Sequence, residues 1–161
     1  MSTSVTIVRD DLTGEPTRAL IAAHLSGMLA NTPAESVHAL DLTGLQHPAV
    51  RVYSAWVDGE IAGVGALKRF GADRAELKSM RVADAFLGRG IGRAILGHLE
   101  HEARAAGIRS LWLETGAGAD FVAARTLYER SGFVVCAPFG DYTPDPLSVF
   151  MTRELAPATV S

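Results

Sequence analysis

The chain has 161 residues, a formal net charge of −3 and a hydrophobic content of 48%. These values fit one domain with a sizeable core, which we predict over residues 1–155, with a frayed tail over 156–161. The cationic residues form no basic run, which excludes an electrostatic footprint for nucleic acid. The sequence has no secretory signal or membrane-spanning run and only one cysteine, Cys136, so we expect a cytoplasmic protein without contact to a membrane.

Residue patterning in the first half of the chain predicts four strands and two helices. The strands cover 3–8, 50–57, 61–70 and 75–82, the helices cover 17–29 and 34–40, and a loop covers 41–48. The dipeptide Asp58-Gly59 is a strong hairpin signal, because both residues tolerate the positive φ angles of a tight turn. Three antiparallel strands are therefore expected in succession before residue 87.

A glycine-rich stretch, Leu87 to Arg93, follows the fourth strand and opens a helix predicted over 91–106. The first N–H groups of a helix lack partners, and the helix dipole is positive there, so this pattern predicts a phosphate site. No lysine follows the glycines as a P-loop requires, and the spacing does not fit Gly-x-Gly-x-x-Gly. A nucleotide-triphosphate loop and a dinucleotide fingerprint are thereby excluded.

The second half of the chain predicts three more strands and one more helix after the helix 91–106. The strands cover 111–115, 133–136 and 147–154, and the helix covers 121–130, with Asp120 as its cap and a loop over 141–146. Gly107 is expected to end the long helix. The resulting order, β-α-α-β-β-β-α-β-α-β-β, indicates the α+β class.

The glycine stretch resembles motif A of the GNAT acetyltransferases, (Gln/Arg)-x-x-Gly-x-(Gly/Ala), through Gly90 and Gly92, although Leu87 replaces the polar first residue. The segment from Leu127 to Phe133 resembles the family's Leu-Tyr-x-x-x-Gly-Phe ending of the fourth helix, and the element order is that of the family. The resemblance implies a mixed, mostly antiparallel sheet of about seven strands flanked by about four helices. It also implies an acetyl-CoA-dependent N-acetyltransferase.

The resemblance implies that two segments bind acetyl-CoA. The strand residues Met80, Arg81 and Val82 would pair through their backbone with the pantetheine amides, where the strand splays from its neighbour at a bulge. The pyrophosphate would lie on the glycine stretch. The remaining expected cofactor contacts are Leu87, Gly88, Arg89, Gly90, Ile91, Gly92, Arg93, Phe121, Arg125 and Tyr128. Phe121 stands where many family members have an asparagine.

The resemblance also implies direct transfer with two catalytic residues. Tyr128 would donate a proton to the departing thiolate, since a phenol with a pKa near 10 is protonated at neutral pH. Glu76, eleven residues before Leu87, would take the proton of the attacking amine. Glu114 on the following strand is the alternative base. Core and surface roles are the alternatives for all three side chains.

We expect the acceptor to be the primary amine of a small molecule. The resemblance implies that it binds near Glu35, His38, Trp56 and Tyr142, and surface or core roles are the alternatives for each of the four. The alternatives are a non-catalytic acyl-CoA-binding sensor on the same fold and an enzyme that acetylates protein N-termini or lysines. His98 and His101 are three residues apart, but no further ligands converge on them, so we expect no metal. Family members often form homodimers, and a homodimer is the expected oligomer if this chain associates.

Overall fold

The computed structural model describes residues 4–31 and 42–155. Within these ranges the strands, and the helices other than the second, follow the predicted order. The strands are β1 (Thr6–Arg9), β2 (Val50–Val57), β3 (Glu60–Arg69), β4 (Arg74–Val82), β5 (Ser110–Gly116), β6 (Val134–Cys136) and β7 (Ser148–Glu154). The helices are α1 (Glu15–Asn31), α2 (Leu42–Leu45), α3 (Ile91–Ala105) and α4 (Val122–Arg130), and short 3₁₀ turns cover Asp84–Phe86 and Ala119–Phe121.

The described strands form one sheet in the order β1-β2-β3-β4-β5-β7-β6. Neighbouring strands are antiparallel except β4 and β5, which are parallel. The hairpin between β2 and β3 turns at Asp58 and Gly59 with φ angles of 50° and 79°, the mirror-image turn that matches the twist of the strands. The predicted α+β class, the mixed sheet and the three successive antiparallel strands are confirmed.

The helices cover both faces of the sheet. On one face, α3 and α4 share a core with β4 and β5, centred on Ile95, Leu99 and Leu113, which are almost fully buried. A Cβ atom on Gly63 of β3 would lie 2.7 Å from the Ile95 side chain, so glycine there allows α3 to approach the sheet. On the other face, α1 and α2 pack on β2 and β3 through a second core.

The predicted loop over 41–48 is wrong in part, because Leu42–Leu45 forms one helical turn. Its leucine Leu45 is 1% exposed and packs into the second core, and this burial outweighs the low helix propensity of Gly44. The helix predicted over 34–40 lies outside the described residues. No helix in the described part of the chain is long and apolar enough to cross a membrane.

The predicted cap of the fourth helix is also wrong. Asp120 lies inside the 3₁₀ turn that leads directly into α4, and within the described residues neither the turn nor α4 has a side-chain hydrogen bond at its start. By contrast, Gly107 has φ 81° just after α3, as expected for a glycine at that position.

Candidate active site

A cleft opens in the middle of the sheet because β4 and β5 diverge. The two strands pair only where Arg74–Glu76 faces Ser110–Trp112, whereas β5 continues to Gly116 beside β7. Beyond Glu76, the edge of β4 that faces β5 therefore lacks a strand partner among the described residues. Its backbone N–H and C=O groups there are open to a ligand that runs like a strand, as parallel pairing has ended.

A bulge in β4 marks the same point. Ala66 pairs with Lys78 and Val64 with Arg81, so two residues of β4, Ser79 and Met80, stand opposite one residue of β3. Ser79 has a positive φ of 56°, which costs an L-residue free energy. Its hydroxyl oxygen is buried and has no hydrogen-bond partner in the described part of the chain. The splay predicted for this strand is present, and it is built from a strained residue with an unsatisfied polar atom.

The cleft is lined by residues from five elements: His24, Met28, Glu76, Leu77, Lys78, Ser79, Met80, Glu114, Thr115, Phe121, Ala124 and Tyr128. Three candidates from the sequence, Tyr128, Glu76 and the alternative base Glu114, thus lie on the same cleft. Met80 and Phe121, both predicted to contact the cofactor, line it as well.

The glycine stretch lies at the start of α3 and has the conformation that an anion site needs. Gly88 and Gly90 have φ angles of 75° and 79°, values that favour glycine. Gly90 is the residue that precedes α3, no described side chain caps that helix end, and a Cβ atom on Gly88 or Gly90 would meet no described atom within 4 Å. The first N–H groups of α3 therefore have no side-chain cap among the described residues, and the space beside the two glycines is open, as phosphate binding requires.

The other residues of this stretch serve different purposes. Leu87 is 62% exposed and offers no polar group. Ile91 is buried in the core, and a Cβ atom on Gly92 would lie 3.2 Å from Leu127 of α4, so Gly92 permits close packing of the two helices. Arg93 is exposed. The guanidinium of Arg89 lies 5.4 Å from the centre of the Phe86 ring, which holds its charge near the helix start.

Tyr128 lies on α4, and its side chain is 7% exposed. Burial and, to a smaller extent, the negative charge of Glu114 raise the pKa of Tyr128 well above the usual value of a phenol. The ring packs edge-on against Phe133, with 5.8 Å between ring centres. The hydroxyl is therefore protonated at all physiological pH values, and its ring is fixed by packing.

Glu76 lies on β4 and is 7% exposed. One of its oxygens, Oε2, accepts hydrogen bonds from Lys78 Nζ at 3.2 Å and from Tyr142 Oη at 2.5 Å. The hydroxyl of Tyr142 in turn accepts a hydrogen bond from Lys78 Nζ at 3.0 Å. The second carboxylate oxygen, Oε1, accepts no hydrogen bond from any described residue, so it is the one available to a substrate.

The sequence prediction missed two residues that line the cleft near Glu76. Lys78 reads in the sequence as an exposed strand residue, yet it is 8% exposed because Glu76 neutralises it. His24 reads as part of the buried face of α1, but it lines the cleft. Burial, and then the positive charge of Arg81, lower the pKa of His24 to about 4. The pattern placed His24 and Met28, four residues apart, on one helix face, but it gave no sign of what that face contacts.

Phe121 and Arg125 hold the loop between β5 and α4. The Phe121 ring lies against the backbone of Gly116, so close that a Cβ atom at Gly116 would overlap the ring. Arg125 Nη1 donates hydrogen bonds to the carbonyl oxygens of Gly116 and Gly118 at 2.6 Å and 3.0 Å. Arg125, for which the resemblance implies a cofactor contact, therefore clamps the loop that shapes the cleft.

The expected acceptor residues divide into three groups. Glu35 and His38 lie outside the described residues. Trp56 lies on β2, and its indole donates to Ser54 Oγ at 2.8 Å, away from the cleft. Tyr142 reaches Glu76 from the loop between β6 and β7. Burial, then the charge of Glu76 and the hydrogen bond to it, raise the pKa of Tyr142 far above that of a phenol in water.

The two histidines of α3 give no sign of a metal site. His98 Nε2 lies 3.5 Å from Glu102 Oε1, and the imidazole ring packs edge-on against Tyr53. Within residues 4–31 and 42–155, no group of three or more histidine, cysteine or carboxylate side chains could hold a metal ion.

Comparison with known proteins identifies the family. The Acetyltransferase (GNAT) family model matches residues 19–133, so this chain belongs to the GNAT acetyltransferases. The uncharacterized N-acetyltransferase YsnE of Bacillus subtilis (strain 168) is 46% identical over 146 residues, 91% of this chain and 97% of that protein. The uncharacterized N-acetyltransferase YedL of Escherichia coli (strain K12) is 45% identical over 150 residues, 93% of this chain and 94% of that protein.

Comparison with solved structures leads to the same family. A Klebsiella pneumoniae protein assigned to the acyl-CoA N-acyltransferases superposes with a TM-score of 0.78 and 30% identity, over 94% of this chain and 98% of that one. The predicted family and its fold are confirmed, and the chain is an acyltransferase.

Proposed function

We propose that this chain transfers the acetyl group of acetyl-CoA directly to the primary amine of a small molecule. The observation that carries the proposal is the cleft between β4 and β5, which has Tyr128 and Glu76 among its lining residues beside the bulge in β4. A proton donor and a proton acceptor at one opening in the sheet suit a reaction in which one proton leaves the amine and another reaches a thiolate.

The proposed cofactor side fits the shape and chemistry of acetyl-CoA. The uncapped start of α3 offers backbone N–H groups to a pyrophosphate, and Leu87 adds no polar contact to them. Met80, Arg81 and Val82 follow the point where β4 loses β5 as a neighbour. Arg81 and Val82 pair with β3 on one edge, and the opposite edge, which has no described strand partner, suits pairing with the pantetheine amides. Arg89 and Arg93 add positive charge nearby.

In the proposed reaction acetyl-CoA supplies the activated acyl group, and the protein moves two protons. Glu76 accepts the amine proton at Oε1, because Lys78 and Tyr142 already occupy Oε2. Tyr128 gives its hydroxyl proton to the departing sulfur. A backbone N–H at the bulge of β4 would support the negative charge that develops on the carbonyl oxygen. Glu114 lies on the same cleft as the alternative base.

We further propose a small-molecule acceptor, a cytoplasmic location and, if the chain associates, a homodimer. The single cysteine supports the location, and the net charge of −3 supports a small acceptor. An enzyme that acetylates protein N-termini or lysines is the alternative within the same reaction class.

The test measures thiol release from acetyl-CoA across a panel of small amines and of peptides with free N-termini or lysines. We expect turnover with at least one small amine and none with peptides alone. Binding of acetyl-CoA without turnover of any acceptor would overturn the proposal and leave a sensor.

Replacing Glu76 tests the base. The Glu76→Gln protein should lose about 10²-fold in kcat at neutral pH and recover much of it at higher pH, where the amine deprotonates unaided. The change removes the carboxylate charge beside the buried Lys78 ammonium, so thermal unfolding must first show that the variant is folded. Glu114→Gln makes the same change at the alternative base, and it should show this pH-dependent loss only if Glu114 takes the proton instead. A Glu76→Gln pH profile parallel to that of the unaltered protein would remove Glu76 as the base.

A further inference from the structure

A second cavity adjoins the cleft and has a volume of about 290 Å³. Both openings include Glu76 and Lys78 among their lining residues, so a molecule in the second cavity can present a group to the same carboxylate. The loop between β6 and β7 forms the other wall through Phe139 to Thr143. The cavity thus has direct access to the proposed base.

Aromatic rings form the apolar part of this cavity. Phe70, Phe139 and Tyr142 line it, and Phe139 lies 5.5 Å from Phe70 and 5.1 Å from Tyr142 between ring centres. Phe139 also packs on Phe150 at 5.9 Å, which fixes the position of the central ring. Such a wall favours a flat apolar group that can stack or meet the ring edges.

Four charged side chains line the cavity, and two of them neutralise each other. Lys78 and Glu76 form a buried ion pair at 3.2 Å. Lys68 and Asp141 remain, one cation and one anion, and neither has an ion-pair partner in the described part of the chain. Lys68 is half-buried, whereas Asp141 is exposed at the rim. Both lysines of the chain therefore lie at this one cavity.

Lys68 and Glu76 are directly opposite each other on β3 and β4, so their side chains leave the sheet on the same face as neighbours. When a ligand places its amine at Glu76, a second group on the carbon that carries this amine lies beside Lys68. A carboxylate is the group that complements a half-buried ammonium with which no described carboxylate pairs. An amine and a carboxylate on the same carbon atom are close enough together to contact both Glu76 and Lys68.

Resting on the proposed function, we infer that the acceptor is an aromatic amino acid. Its ring lies among Phe70, Phe139 and Tyr142, its carboxylate binds Lys68, and its amine faces Glu76 Oε1. In the transfer the amine nitrogen forms a bond to the acetyl carbon and the carbon–sulfur bond breaks. Glu76 takes one proton from nitrogen, and Tyr128 gives one to sulfur.

The experiment compares three acceptors that differ by one group each: phenylalanine, 2-phenylethylamine without the carboxylate, and alanine without the ring. We expect kcat/KM for phenylalanine to exceed both others by about tenfold or more, since each loses one of the two contacts. Phenylalanine that is turned over no better than 2-phenylethylamine or alanine would overturn the inference.

Replacement of Lys68 assigns the carboxylate contact. The Lys68→Met protein should lose about tenfold in kcat/KM for phenylalanine, mainly through KM, and keep its values for 2-phenylethylamine and its KM for acetyl-CoA. Lys68→Arg should restore most of the loss. Arg130→Met removes a charge at the exposed end of α4. It is the matched control and should leave kcat/KM unchanged for both substrates.

The outcomes separate the inference from the function on which it rests. Turnover of other amines, with no preference for phenylalanine, leaves the acetyltransferase proposal standing and removes the aromatic amino acid. An equal loss of kcat/KM for phenylalanine and 2-phenylethylamine in Lys68→Met also overturns the inference of an aromatic amino acid. Lys68 would then act on the structure and not on a carboxylate. A lack of turnover with every amine, despite acetyl-CoA binding, overturns the proposed function itself.

Discussion

The two sides of the cleft differ in the kind of atoms that form them. The side toward α3 consists of backbone: the free edge of β4 and, beyond the residues that line the cleft itself, the glycine stretch at the start of the helix. The side toward α1 and the loop between β6 and β7 consists of side chains, with His24, Lys78 and Tyr142 arranged around Glu76.

In the proposed reaction this difference would separate the two substrates. Backbone N–H groups recognise what is common to all acyl-CoA molecules, a pyrophosphate and amides, and their geometry depends only on φ and ψ. Side chains recognise what distinguishes one acceptor from another. On the backbone side, binding of acetyl-CoA should therefore survive changes of side chain and be lost when φ and ψ change. On the other side, acceptor selectivity should change when single side chains are replaced.

The largest effect is expected at Tyr128, which lines the cleft from α4. Tyr128→Phe removes one hydroxyl and should lower kcat by about 10²–10⁴-fold while leaving affinity for acetyl-CoA nearly unchanged. The reason is that, in the proposed mechanism, the buried hydroxyl acts only on the developing thiolate. Steady-state kinetics and calorimetric binding of acetyl-CoA measure the two values. Full kcat in the phenylalanine variant would make Tyr128 a packing residue.

The backbone side was largely predictable from the sequence, and the reason is physical. A positive φ, a close approach or a helix start requires glycine at a fixed place, so Gly88, Gly90 and Gly92 show the local structure in the sequence itself. The strand and helix patterns on either side extend over neighbouring residues and are equally local. For this reason the strands and the glycine stretch were expected from the residues themselves, whereas the bulge in β4 was expected only from the resemblance to the family, since no glycine marks it.

The side-chain wall was predicted only in part, because it joins residues that are far apart in the chain. Glu76 and Tyr142 are separated by 66 positions, and His24 reaches the cleft from α1. No periodicity indicates that Lys78 is buried, since its burial depends on the carboxylate two residues before it and on a loop that comes later. The resemblance implies a place for Trp56 near the acceptor, but its indole donates to Ser54 and it is not among the residues that line the cleft.

The second-largest effect tests the backbone side. Gly90→Val forces a β-branched residue into a φ of 79° and should weaken acetyl-CoA binding by about 10²-fold or more, because the helix start can no longer present its N–H groups. Gly97→Val is the control, since it lies on the same helix with no described atom within 4 Å of its Cβ position. Calorimetric titration with acetyl-CoA should find the control unchanged. Equal affinity in a folded Gly90→Val protein would exclude the pyrophosphate site.

A smaller effect should appear on the side-chain wall as a dependence of stability on pH. Because the pKa of His24 falls to about 4 in the fold and is near 6.5 when unfolded, the unfolded chain takes up a proton first as the pH drops. The contribution of His24 is therefore complete above about pH 6.5 and is lost between there and pH 4. After allowance for partial solvent exposure, the loss should be on the order of 2 kcal/mol.

Denaturant unfolding between pH 4 and 8 measures this loss. The His24→Gln protein, whose amide does not titrate, should show a flatter curve over the same range. Arg81 acts on the His24 charge and Glu76 lines the same cleft, so both must be present in each protein compared. Parallel curves for the two proteins would mean that His24 titrates normally and does not contribute an uncharged buried ring to this wall.

The smallest effect concerns Ser79, where the two sides meet. Its positive φ of 56° strains the backbone, and its buried hydroxyl lacks a partner among the described residues. Ser79→Ala keeps the strain and removes the hydroxyl, whereas Ser79→Gly removes both. Because a left-handed conformation costs an L-residue about 1–2 kcal/mol and glycine loses some of that gain to chain entropy, Ser79→Gly should exceed Ser79→Ala in unfolding free energy by roughly 0.5–1 kcal/mol.

The same pair of variants shows whether the strain serves a ligand. If the bulge aims the Ser79 hydroxyl at a substrate, both variants should lose the same several-fold factor in kcat/KM, although one is more stable than the other. If only the backbone shape matters, Ser79→Ala should keep full activity and Ser79→Gly should lose some through a looser bulge. Denaturant unfolding supplies the stabilities, and thiol release supplies the rates. A glycine variant no more stable than the alanine variant would show that the β4 bulge is relaxed, and the backbone side of the cleft would then carry no strain.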